Sequence, residues 1–76
     1  MDDYVLSAQF NNKYRVKDVV RIIDQKQYSL YLLYGAKVID VYGSYDNETG
    51  KPITVFVFNR SDTYELYDLW RKEQLI

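Results

Sequence analysis

The residues able to do chemistry in this chain are few, and they do not assemble into a reaction centre. Ser7, Ser29, Ser44 and Ser61 are the candidate nucleophiles, and a serine hydroxyl needs an adjacent base to activate it. The sequence holds no histidine and no cysteine, so neither a Ser–His pair nor a thiolate exists. A serine–lysine pair has suitable groups, but no spacing sets one up. Gly35, Gly43 and Gly50 lie too far apart to cradle a phosphate. The missing thiols exclude disulfides and thiolate zinc sites, and the missing imidazole removes the commonest metal ligand. Carboxylates remain. Asp46 and Glu48, with Asn47 and Gly50, could turn oxygens toward a hard cation, but a turn this short carries too few ligands for a calcium loop. It reads as an ordinary solvated hairpin turn. The expectation is a protein that is not an enzyme and that holds no cofactor and no metal.

Residue types suited to binding are better represented. Nine tyrosines stand among 76 residues. Tyrosine joins a large apolar ring to a hydroxyl that tolerates water, which enriches it at interfaces. A small domain also uses tyrosine to fill half-buried positions around a thin core. Tyr42, Tyr45, Tyr64 and Tyr67 are the ones least needed by the core. A second set is basic: Lys13, Arg15, Lys17 and Arg21 share one parity of a strand expected through Tyr14–Ile23. With Tyr14 they could follow a phosphate backbone while aromatics stack on bases. The competing reading is a solvated strand edge whose charges discourage aggregation. The formal net charge of −1 and the neighbouring Asp2, Asp3 and Asp18 favour that second reading, so nucleic acid is not the expected partner.

The elements that would carry these residues follow from pattern. Tyr4 to Phe10 alternates as a short strand, with Tyr4, Leu6, Ala8 and Phe10 on one parity, and Asn11-Asn12-Lys13 suits a turn. Residues 1–15 form either this added strand or a loose arm. Asp24 is a good N-cap for a helix over Gln25–Tyr34, and Gly35 sits where a left-handed C′ residue belongs. Tyr28, Tyr31 and Leu32 make one stripe of that helix, widened by Leu30, Leu33 and Tyr34. Val38–Ser44 reads as a strand with Ile39 and Val41 on one side and Val38, Asp40 and Tyr42 on the other. A polar turn, Asp46–Gly50, leads into the strand Ile53–Asn59, giving a hairpin. Ser61 or Asp62 would cap a last helix, with Glu65 completing a capping box and Leu66, Leu69 and Trp70 as its buried stripe. Arg71 and Lys72 suit its C-terminal dipole.

This is an α+β arrangement in one domain over residues 1–76: a small antiparallel-rich sheet of three or four strands with two helices, in the order (β)βαββα. No apolar run approaches the roughly 20 residues of a membrane span. The acidic start Met1-Asp2-Asp3-Tyr4 is unlike a signal peptide, so a cytoplasmic protein is expected.

The strand Ile53–Asn59 is unusual. Ile53, Val55 and Val57 occupy one face, and Thr54, Phe56 and Phe58 the other, so neither face reads as wet. So short a chain should struggle to cover both, and with disulfides and metal excluded, a partner is the remaining way to complete a small core.

The ordered landmarks Asp24-Gln25-Lys26-Gln27, Leu30-Tyr31-Leu32, Gly35–Val41, Val55–Phe58 and Glu65–Trp70 resemble a family of small proteins of unknown function from Gram-positive bacteria, their phages and their plasmids. The resemblance runs from Val16 to Leu75. It implies a mobile-element setting and supplies no mechanism or site.

The functional expectation is a non-enzymatic protein-binding module, a small regulator or inhibitor that occludes a partner's surface. Its docking residues would be Tyr42, Tyr45, Phe56, Phe58, Tyr64 and Tyr67. If that patch is self-complementary, the partner is a second copy in a homodimer. The alternative is a nucleic-acid-associated regulator acting through Lys13, Arg15, Lys17 and Arg21.

Overall fold

The computed structural model describes residues 3–76; Met1 and Asp2 of the acidic start lie outside them. The described residues run β1 (Tyr4–Leu6), β2 (Lys13–Arg15), a 3-10 turn (Val16–Asp18), β3 (Val19–Ile22), α1 (Gln25–Leu33), β4 (Val38–Tyr45), β5 (Pro52–Asn59) and α2 (Arg60–Arg71). The class is α+β, with all strand pairs antiparallel: β1 with β2 in a separate hairpin, and β3-β5-β4 as the main sheet.

The anticipated long strand over 14–23 is two strands. The 3-10 turn at Val16–Asp18 carries the chain from the hairpin layer into the sheet layer. The first strand is shorter than expected and stops at Leu6, and the register Val5↔Tyr14 turns Val5 inward while Tyr4 and Leu6 face out.

β5 is the central strand, and its two faces belong to two separate clusters. On one, Val55 and Val57 pack with Val19 and Ile39 beneath Tyr14 and Val5 of the hairpin. On the other, Phe58 and Phe56 pack with Tyr31, Tyr28, Leu66, Trp70 and Leu75 from the helices and the C-terminal segment. The chain therefore covers both faces of β5 by itself. Length alone suggested a shortfall; residues 3–15 make it good by forming a third layer. Burying a side chain the size of Val57 or Phe58 contributes about 1.5–3 kcal/mol, and both are completely buried.

Helix ends follow local chemistry. Asp24 Oδ1 accepts from the Gln27 amide at 3.0 Å, the expected cap of α1. Gly35, at φ +89°, allows Gly35 N–H to donate to Leu32 O and Ala36 N–H to Tyr31 O, a Schellman closure. The C-terminus of α2 closes in the same way through Glu73 N–H to Trp70 O and Gln74 N–H to Leu69 O, but Glu73 takes the left-handed position at φ +58°. This turn brings Leu75 back into the core. The start of α2 departs from expectation. The helix begins at Arg60, straight from β5, and its N-cap Asn59 makes no side-chain capping bond. Ser61 and Asp62 thus fall inside the first turn. Thr63, not Leu69, joins Leu66 and Trp70 on the inner side, its hydroxyl donating to Asn59 O at 3.0 Å.

β4 carries a bulge between Val38 and Asp40. It puts Ile39, Asp40 and Tyr42 on the hairpin side and leaves Val38 and Val41 on the helix side, replacing the simple alternation read from the sequence.

Candidate binding face and a buried carboxylate

The proposed docking residues separate into three groups. Phe58 is fully buried, its ring edge-on to Tyr31 with centroids 5.5 Å apart. Phe56 is stacked on Tyr28 at 4.0 Å. These two belong to the core, because the helices occupy the face they were expected to offer. Tyr42 is half-buried against the Val55–Val57 cluster, and its hydroxyl accepts from Arg21 Nε at 3.0 Å. Tyr45 is exposed at the far end of β4, beside Ile23 and Ile53. Tyr64 and Tyr67 stand together on α2, 65% and 51% exposed.

Two further residues complete that last group. Arg60, Tyr64, Tyr67 and Arg71 follow i, i+4, i+7, i+11, so they line one face of α2. All four are exposed. The Arg71 guanidinium lies 5.9 Å from the Tyr67 ring centroid and bonds Asp68 at 3.1 Å; Lys72 bonds the same carboxylate at 3.0 Å. Those two bonds hold the Asp68 carboxyl below the ordinary value. Arg60 Nε donates to the Lys17 carbonyl at 3.0 Å, which anchors its guanidinium near the 3-10 turn. The sequence contained this spacing, but starting the helix at Ser61 or Asp62 left Arg60 outside it.

The basic set does not form the expected track. Lys13 and Arg15 lie on β2, Lys17 in the 3-10 turn, and Arg21 on β3 with its Nε drawn toward Tyr42. The break in the strand at Val16–Asp18 ends the shared parity. Arg15 instead holds Tyr4, donating from Nε to its hydroxyl at 2.9 Å with the guanidinium over the ring. In the β4–β5 turn, Asp46 Oδ1 accepts from the Glu48 amide at 2.8 Å, so that carboxylate is engaged by its own turn.

Asp40, which the alternation of β4 groups with Val38 and Tyr42, is a buried acid that shares only the Tyr42 side. Asp40 is 1% exposed. Its Oδ1 accepts from Ala8 N–H (2.8 Å), Val41 N–H (2.9 Å), Ser7 Oγ (3.0 Å) and Gln9 N–H (3.2 Å), and its Oδ2 from the Tyr14 hydroxyl (3.1 Å). Burial disfavours the charged form, yet the bonds from Gln9, Ser7, Ala8 and Tyr14 outweigh it and hold the carboxyl below its ordinary value. Burial, and then the bond to Asp40, push the Tyr14 phenol up. Asp40 thus fastens the N-terminal hairpin to the sheet. Its donors lie 26 to 33 residues away, the neighbouring Val41 amide excepted, so no local pattern announces it.

No family model, curated protein or solved structure matches this chain. Among the described residues, no helix is long and apolar enough to cross a membrane.

Proposed function

We propose that this protein is a non-enzymatic protein-binding module that acts by occluding a surface of its partner through the exposed face of α2. The observation that carries this reading is the stripe Arg60, Tyr64, Tyr67 and Arg71. Interface hot spots are enriched in tyrosine and arginine, and a helix presenting them at this spacing can lie in a partner's groove. The core does not need the stripe, since Thr63, Leu66 and Trp70 do the inward packing. The sequence lacks histidine and cysteine, and the perturbed carboxylate at Asp40 is spent on five internal donors, which supports binding over catalysis. A role as a regulator in a phage or mobile element rests on the resemblance of the chain's landmarks alone.

The test is capture on immobilised protein from a lysate of a Gram-positive bacterium, run with three baits. A protein retained by wild type and by Tyr45→Ala, and lost from the Tyr64→Ala/Tyr67→Ala variant, is the expected result. Equal retention on all three baits would remove the α2 face from the reading.

A further inference from the structure

The main sheet has two edges, and they differ in how they are protected. β4 carries the bulge at Val38–Asp40, and the Ser7 hydroxyl donates to its Ile39 carbonyl at 3.4 Å. Bulges and covering loops are among the ways sheets blunt their edges. β3 has neither. Its residues Val19–Ile22 pair with β5 on one side, and among the described residues no backbone group pairs with the other. Alternation of an antiparallel ladder turns the N–H and C=O groups of half these residues outward.

A groove of about 510 Å³ runs beside this open edge, between β3 and α2. Val20, Ile22 and Tyr31 give it an apolar floor, Tyr67 forms a wall, and no carboxylate lines it. Arg60 stands at the end where β3 begins, since Val19 pairs with Asn59. Arg21 also lines the groove, but it pairs with Val57 and so points to the hairpin side of the sheet, toward Tyr42; Arg60, with its Nε held by the Lys17 carbonyl, is the cation on the groove's own side.

We propose that β3 takes up an extended segment of the partner protein as an added antiparallel strand, with an apolar side chain at every second position set into the groove and a carboxylate at its C-terminal end against Arg60. The proposal rests on the protein-binding reading above and specifies the partner's chemistry. Main-chain bonds would provide affinity and alternate side chains selectivity, as in other cases of strand addition. Antiparallel pairing places the added strand's C-terminus at the start of β3, where Arg60 lies. β3 spans about 13 Å at roughly 3.3 Å per residue, so four or five partner residues are engaged. A second copy fits less well. Twofold pairing of β3 with β3 centred on Val20 or Arg21 sets the two Arg21 side chains on one face, diagonal or directly opposite, and like charges so placed oppose pairing.

The experiment titrates isotope-labelled protein with acetyl-Thr-Val-Thr-Val-Thr-Glu-Glu-amide and follows backbone amide shifts. Saturable shifts at Val19–Ile22, Arg60 and Tyr67 are expected. Replacing Glu-Glu by Lys-Lys, or making Arg60→Glu in the protein, should weaken binding about fivefold, as loss of an exposed ion pair does. Moving the two glutamates to the N-terminus should weaken it similarly, and N-methylating two successive peptide residues should abolish it. No saturable shift at millimolar peptide, shifts mapping away from β3, or full binding by the N-methylated peptide would overturn strand addition. If the peptide fails while the Tyr64→Ala/Tyr67→Ala variant still loses its captured partner, strand addition falls and the α2 reading stands. If both fail, both fall.

Discussion

Replacing Asp40 by alanine should detach the N-terminal hairpin. The carboxylate accepts five hydrogen bonds between 2.8 and 3.2 Å. A hydrogen bond to a charged group is worth about 1.5–3 kcal/mol, and an abandoned buried donor costs a comparable amount. The five losses do not simply add, because Ala8 and Gln9 belong to an exposed loop and regain water once it lifts. Undocking of residues 3–15 sets the ceiling. Two fully lost bonds give about 3–6 kcal/mol. A chain of 76 residues has a total stability of roughly 4–11 kcal/mol, so the loss is a large fraction of it. Asp40→Asn keeps Oδ1 as an acceptor and can donate its amide to the Tyr14 oxygen, so it should cost about 1–2 kcal/mol.

Urea unfolding at neutral pH measures both variants, and hydrogen exchange at Ala8, Gln9 and Val41 reports the local opening. The sign of the pH dependence follows from the depressed carboxyl of Asp40. Its contribution is fully present above the ordinary aspartate value of about 3.9 and is lost as pH falls through the lower folded value. Asp68 works in the same direction, so the Asp40 share is the gap between the wild-type and Asp40→Asn curves, which should narrow below about pH 4. An Asp40→Ala protein within about 0.5 kcal/mol of wild type, with Ala8 and Gln9 still protected, would refute the reasoning.

Other expectations follow from single contacts. Glu73→Gly should stabilise by about 0.5–1 kcal/mol, because glycine relieves the left-handed strain at φ +58° at some cost in unfolded-state entropy; a lower thermal midpoint would count against the closure at Glu73. Asp24→Ala should cost about 1 kcal/mol by removing the bond to the Gln27 amide, read by urea unfolding. Tyr64→Ala with Tyr67→Ala should change stability by no more than about 1 kcal/mol, since both rings are exposed; a loss as large as that of a core truncation would assign them to packing.

The parts of the fold legible in the sequence are those governed by neighbouring residues. Asp24 and Gly35 mark the ends of α1 through bonds to groups within a few positions, and the two apolar faces of β5 follow from its period of two. The failures share one cause, distant partners. The bulge that puts Asp40 on the hairpin side leaves no trace in the local alternation, and the donors that make a buried carboxylate tolerable there come mainly from the other end of the chain. The 3-10 turn at Val16–Asp18 breaks a run whose residues would all suit a strand, because the chain has to change layers. The candidate face was half visible. Tyr64 and Tyr67 lie outside the buried stripe that the sequence marks on α2, whereas what separates Phe56 and Phe58 from them is tertiary: the helices cover that side of β5. Arg60 was hidden by capping signals at Ser61 and Asp62 that the helix does not use.

Both functional proposals depend on a core that closes without help, for only then are Tyr64 and Tyr67 free to meet another molecule. Sedimentation combined with thermal unfolding, from low to high micromolar protein, tests this most directly. The account predicts a monomer of 9.1 kDa whose single cooperative transition has a midpoint independent of concentration. A dimer, or a midpoint that climbs with concentration, would contradict it and make the exposed rings part of the molecule's own assembly.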